Sequence, residues 1–163
     1  MLTNLMEIIM ELYQTLTTQI AKMSRSIKRI KSEEMADLDP GLKGPHVSCL
    51  YYIYKSDGTM TAKEISDVCE EDKAAISRSL DYLEREGYIS SESKTEKRYK
   101  CPLSLTTKGQ EVGVKIAEKI DRIVVMAGTG LSDENRKIFY ETLSLINNNL
   151  KKLYDTYGEK ENG

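Results

Sequence analysis

The sequence predicts a mostly α-helical protein with one small β-hairpin, an α+β fold in which long helices flank a compact middle. Two observations carry that expectation. Apolar residues recur at steps of three and four over both ends of the chain, and the central stretch is punctuated into capped short helices followed by two extended segments.

From Met6 the apolar residues run Met6, Ile9, Tyr13, Leu16, Ile20, Met23, Ile27 and Ile30, at steps of 3, 4, 3, 4, 3, 4 and 3. That is the seam of one long helix, and no Gly or Pro interrupts it before Pro40. A helix of about 25 residues presents more apolar face than one small domain covers, so the stripe needs a partner helix. At the far end Ser132-Asp133-Glu134 opens a helix by N-cap logic, with Phe139, Leu143, Ile146, Leu150, Leu153 and Tyr157 on one face. Before it, Thr106 or Thr107 caps a helix that carries Val112, Ile116, Ile120 and Val124, and Gly128-Thr129-Gly130 separates the two. Long seams at both ends predict pairing with each other and with a second subunit; a folded-back monomeric bundle is the alternative.

The middle differs in texture. Asp39-Pro40-Gly41 and Lys43-Gly44-Pro45 punctuate it, and His46 to Tyr54 reads as a short buried helix ended by the turn Ser56-Asp57-Gly58. Thr61 and Glu64 form a capping box on a short helix whose core side is Ile65 and Val68. Asp72 caps a second helix with Ile76, Leu80 and Leu83 inward, closed by Gly87 at C′. Tyr88 to Ser91 and Tyr99 to Leu105 read as two strands around the polar, basic tip Lys94-Thr95-Glu96-Lys97-Arg98. Pro102 predicts an edge position or a bulge for the second strand.

Short helix, turn, longer helix, basic hairpin: that order is a winged helix-turn-helix, here set within a helical dimer. The expected organisation is an N-terminal dimerisation helix over 1–38, a winged helix-turn-helix over 43–109 and C-terminal dimerisation helices over 110–157.

Composition narrows the function. The chain has 163 residues and a net charge of −2, with no apolar run of about 18 residues to cross a membrane. Its first 21 residues hold Glu7 and Glu11 and no base, the reverse of a signal peptide, so a cytoplasmic protein is expected. Cys49, Cys69 and Cys101 are widely spaced and His46 is the only histidine, so neither a metal nor a cofactor is expected. The thiols read as small hydrophobes, with a redox-sensing regulator as the alternative; Cys101, beside Lys100, has the cationic neighbour that lowers a thiol pKa. One histidine, no Gly-rich phosphate loop and no nucleophile motif argue against an enzyme.

Charge is locally basic. Lys22, Arg25, Lys28, Arg29 and Lys31 occur with no acid among them, and Lys94, Lys97, Arg98, Lys100 and Lys108 with only Glu96. With Ile76, Leu80 and Leu83 inward, the helical period turns Ala74, Arg78, Asp81 and Arg85 outward and sets Ala75 and Ser77 on the flank. The small residues allow close approach to bases. Arg78 then reaches guanine O6 and N7, Ser77 a base edge or phosphate, and Lys73 a phosphate at the helix N-terminus. Against this, residues 61–98 carry seven basic and ten acidic groups, including Glu70 and Glu71 at the turn. That excess favours the rival reading, a winged-helix protein-interaction module, which leaves Arg78 and the basic wing without a role.

The run from Glu71 to Ile89, EDKAAISRSLDYLEREGYI, resembles the recognition helix and following strand of the MarR family of regulators. Leu105-Thr106-Thr107-Lys108-Gly109, just after the basic hairpin, resembles that family's strand-to-helix junction. The resemblance implies a homodimeric repressor on a pseudo-palindromic operator in double-stranded DNA, with Ser77 and Arg78 reading bases and Lys73 and Ala74 near the groove. It further places Arg98 as a minor-groove wing arginine, with Glu96 where an Asp commonly orients it. The expected DNA-contact set is Thr61, Lys63, Lys73, Ala74, Ala75, Ser77, Arg78, Lys94, Lys97 and Arg98. Members of the family often bind a small aromatic or anionic effector between the dimer helices and the winged domain; here Tyr13, Thr17, Arg25, His46 and Tyr51, with Tyr52, are the candidates.

Overall fold

The computed structural model describes residues 2–69, 72–91 and 101–160. They form two compact units, residues 1–123 and 124–163, each described by itself.

The first unit opens with helix α1 (Leu2–Gln14), a π turn (Thr15–Gln19) and α2 (Ile20–Glu34). The backbone stays helical through both junctions, so the three pieces are one continuous rod. Every member of the expected stripe, from Met6 to Ile30, is exposed within the single chain. A linker ends in α3 (Gly44–Lys55), which Pro45 suits because its missing N–H would be unpaired in the first turn anyway. Val47, Cys49, Leu50 and Ile53 of α3 are buried.

A turn at Ser56 to Gly58 leads into β1 (Thr59–Thr61), then α4 (Ala62–Val68) and α5 (Lys73–Arg85). β2 (Ile89–Ser91) and β3 (Pro102–Leu105) follow, and α6 (Thr107–Ala127) leaves the sheet. The strands form one antiparallel sheet in the order β1-β3-β2, with Thr61 opposite Pro102 and Ser91 opposite Leu103. β3 is therefore the central strand, not an edge. Pro102 is tolerated because it is the first residue of that strand, where the ladder begins. β1 was not expected from sequence, and it is what makes β3 central. Tyr99, expected to open the second strand, lies outside the described residues.

One apolar core joins these elements: Leu50 and Ile53 from α3, Ile65 from α4, Ile76, Leu80 and Leu83 from α5, Ile89, Leu103, and Ile116 from α6. Burying each such side chain fully stabilises the fold by about 1.5–3 kcal/mol, so the positions of α4 and α5 are fixed by packing rather than by their own helicity. Val68 departs from expectation and is 44% exposed. It lies three residues, 300°, beyond Ile65 on a helix of only seven residues, and so turns past the core-facing line.

In the second unit Ser132 caps α7 (Asp133–Lys160), its Oγ accepting from Asn135 N at 3.2 Å. Phe139, Leu150, Leu153 and Tyr157 are exposed along it, while Leu143 and Ile146 are partly covered.

Candidate nucleic-acid interface

The helix-turn-helix is built by its caps. Thr61 Oγ1 accepts from Glu64 N at 3.2 Å, and Glu64 Oε2 accepts from Thr61 N and from the Thr61 hydroxyl, each at 2.8 Å. These donors hold the Glu64 carboxyl below the usual carboxylate range. Asp72 Oδ1 accepts from Ala75 N at 2.8 Å and starts α5. Asp72→Ala is expected to cost about 1 kcal/mol of stability, read by denaturant unfolding, whereas Asp72→Asn should cost only a few tenths.

The end of α5 is equally defined. Gly87 N donates to Glu84 O at 3.1 Å and Tyr88 N to Leu83 O at 2.8 Å, a Schellman arrangement that needs the left-handed φ of +74° at Gly87. Lys108 Nζ donates to Glu86 O at 3.0 Å and lies 3.9 Å from the centre of the Tyr88 ring. One of the five cations counted with the wing is thus spent on closing α5.

Between these caps α5 buries Ile76, Ser79, Leu80 and Leu83 and leaves Lys73, Ala74, Ser77, Arg78, Asp81 and Arg85 exposed, with Ala75 half-buried. Ser79 is satisfied internally, its hydroxyl donating to Ala75 O at 2.8 Å. The exposed face offers a long cation at Arg78 between small side chains, the pattern that lets a helix backbone approach base edges closely. Lys63 is exposed on α4, while the Thr61 hydroxyl is engaged in its cap. Three of the acids that weighed against nucleic acid hold structural positions: Glu64 and Asp72 cap helices, and Glu86 pairs with Arg85 at 3.1 Å. Glu70, Glu71, Lys94, Glu96, Lys97, Arg98 and Lys100 lie outside the described residues.

Behind this face, the linker between α2 and α3 is fastened to the winged unit. Tyr88 donates its hydroxyl to Asp39 Oδ2 at 2.6 Å, and Asp39 Oδ1 accepts from Gly41 N at 2.9 Å. His46 is buried, its Nδ1 accepting from Lys43 N at 3.0 Å and its ring stacked on Tyr82 of α5 at 4.3 Å between centres. Burial lowers the His46 pKa, which favours the neutral ring that this hydrogen bond requires. The Tyr88 and Gly41 donors lower the Asp39 pKa. The stabilisation from Asp39 is therefore present above the ordinary carboxylate range and is lost as pH falls through its depressed value. Thermal melts taken down an acid series should fall more steeply for the wild type than for Asp39→Asn; parallel profiles would show that the linkage is absent.

Tyr13, Thr17 and Arg25 are exposed on the N-terminal rod, and Tyr51 is half-buried with its ring edge-on to Tyr52. None of these, nor His46, lines the cleft of about 350 Å³ between residues 37–39 and α6. That cleft is walled by Asp37, Asp39, Lys115, Lys119 and Arg122, and Lys119 bridges it by an ion pair to Asp37 at 2.9 Å and a hydrogen bond to Glu34 O at 2.8 Å. The spacing of Lys115, Lys119 and Arg122 on one helix face was visible in the sequence, but the carboxylates opposite them were not. Cys49, Cys69 and Cys101 are all buried.

Residues 41–98 match the model of the MarR family, a stretch that holds α3, β1, α4, α5 and β2. The winged segment is similar to the MarR family. No curated protein sequence matches the chain. Among solved structures the MarR fold extends well beyond the matched segment. A MarR family transcriptional regulator from Listeria monocytogenes bound to a 26-mer DNA is 20% identical, with a TM-score of 0.70 over 81% of this chain and 86% of that one. The Staphylococcus aureus MepR–DNA complex is 20% identical, with a TM-score of 0.68 over 85% and 97%. Staphylococcus aureus MarR in complex with salicylate and kanamycin is 20% identical, with a TM-score of 0.71 over 87% and 94%. Among the described residues no helix is long and apolar enough to cross a membrane.

Proposed function

We infer that this chain is a transcriptional regulator of the MarR type rather than an enzyme: a cytoplasmic homodimer that binds a pseudo-palindromic operator, represses from it, and is released by a small-molecule effector. The single observation that carries the reading is the exposed Ser77–Arg78 face of α5, opposite the buried Ile76, Leu80 and Leu83, within the MarR segment. Arg78 and Ser77 read bases, and Lys63, Lys73, Ala74 and Ala75 lie against the backbone or groove. Thr61 contributes by fixing the start of α4, and Lys94, Lys97 and Arg98 supply the wing's phosphate and minor-groove contacts. The unpartnered apolar stripes on the N-terminal rod and on α7 support the homodimer.

For the effector, Tyr13, Thr17, Arg25, His46 and Tyr51 remain the proposed contacts for an aromatic or anionic molecule. Salicylate in the S. aureus MarR complex is of that chemistry. The acidic excess of residues 61–98 favours one second reading, a winged-helix module that binds protein. Capture of genomic DNA by the purified protein, followed by sequencing, separates the two. Enrichment of an inverted repeat near the protein's own coding region supports the regulator, and recovery of no preferred fragment supports the interaction module.

A further inference from the structure

The π turn at Thr15–Gln19 alters which apolar residues can form one seam. A straight α-helix turns 100° per residue, and the wider π turn takes in the equivalent of one extra residue. The rod ahead of it is thereby rotated by about 100° relative to a continuous α-helix. With the π turn present, Met6, Ile9 and Tyr13 no longer continue the line of Ile20, Met23, Ile27 and Ile30. Leu5, Ile8 and Leu12 do, and they too are large, apolar and exposed. The N-terminal half thus carries two complete apolar stripes, one for each register, sharing Leu16 and everything after it.

The turn itself has a local cause. Thr15, Thr17 and Thr18 place three β-branched residues within five positions, and the Thr17 hydroxyl donates to Tyr13 O at 2.7 Å. Such back-bonding loosens a regular helical turn and bends it.

We propose that the π turn selects Leu5, Ile8 and Leu12, in place of Met6, Ile9 and Tyr13, as the seam that the rod presents to a second copy of this chain. The proposal rests on the homodimer reading above. Charge says what covers the face. Residues 2–19 carry Glu7 and Glu11 and no base, whereas residues 20–31 carry Lys22, Arg25, Lys28, Arg29 and Lys31 and no acid. A two-fold axis between residues 17 and 18 lays the acidic half of each rod beside the basic half of the other, with Glu11 one position from Arg25. The same axis sets Ile8 opposite Ile27 and Leu12 opposite Met23. Tyr13 is turned off the seam and left for another contact, and the alternative register lies one residue away.

Cysteine protection tests this in the full chain, because the three native cysteines are buried and common to every variant. Met6→Cys, Ile8→Cys, Leu12→Cys and Tyr13→Cys are alkylated singly with a maleimide, and the mass of each protein in solution is measured by light scattering. Cysteines at 8 and 12 should react about tenfold more slowly than those at 6 and 13, and deleting Thr17 should reverse the order. A dimer in which 6 and 13 are the protected pair overturns the proposed seam. An order that the deletion leaves unchanged overturns the role of the π turn. A monomer with all four positions reactive overturns the homodimer reading, and this proposal with it.

Discussion

Arg78→Ala is expected to weaken binding to the specific DNA site by about 1–3 kcal/mol, roughly 5- to 150-fold, and to relax preference for the base pair it reads. The expectation follows from where the side chain sits. Arg78 is exposed two residues after Ile76 and two before Leu80, both of which are buried, so truncating it leaves the core and the helix caps untouched. Thermal stability should therefore be unchanged. That separates Arg78 from Asp72, whose loss acts through the fold. Competition titrations against the captured fragment and against scrambled DNA measure the effect. The affinity lost should be greater on the specific fragment than on the scrambled one. An equal loss on both would reassign Arg78 to phosphate, and no loss on either would remove it from the interface.

The second large effect is structural. Gly109→Ala should destabilise the protein by about 3 kcal/mol even though alanine favours a helix interior by about 1 kcal/mol over glycine. A Cβ at position 109 would fall within the van der Waals shell of the Tyr88 carbonyl oxygen. That carbonyl cannot yield, because it accepts from Thr106 N at 3.0 Å and from the Thr106 hydroxyl at 3.1 Å. The steric term outweighs the propensity gain. For a chain of this size the melting temperature should drop by about 6–12 °C. Gly44→Ala, where an added Cβ meets nothing within 4 Å, is the control and should change little. A Gly109→Ala protein as stable as the wild type would mean that β2 and α6 do not approach as described. DNA affinity should fall together with stability, since the same junction carries the root of the wing.

What could be read from the sequence alone follows a physical boundary. Ile76, Leu80 and Leu83, the capping box at Thr61 and Glu64, the cap at Asp72 and the C′ glycine at 87 depend on residues within a turn or two of each other, and each reads correctly. Thr106 and not Thr107 starts α6, its Oγ1 accepting from Gly109 N at 3.1 Å, a choice between neighbours that spacing leaves open. The failures come from short elements and distant partners. β1 is three residues, Thr-Met-Thr, too short for an alternation to register, and without it Pro102 reads as an edge residue. The π turn is invisible to a search for steps of three and four, because Leu16 and Ile20 fit both registers. The Tyr88–Asp39 contact spans 49 positions, and neither residue advertises the other. In the candidate interface the outward face of α5 follows from helical period, whereas Lys108, close to the wing in sequence, bonds the end of α5 instead.

DNA binding is the role proposed for the exposed face of α5 and the wing. The most direct test is fluorescence anisotropy of the wild-type protein on DNA from upstream of its own coding sequence, repeated across a salt series. Binding should be saturable at two chains per site, with log affinity falling linearly with log salt at a slope of about 0.9 per phosphate contacted. Lys97→Ala and Arg98→Ala should each lower that slope by about one where they meet phosphate. Absence of salt-dependent binding to any upstream fragment would contradict the claim and leave the winged segment as a surface for protein.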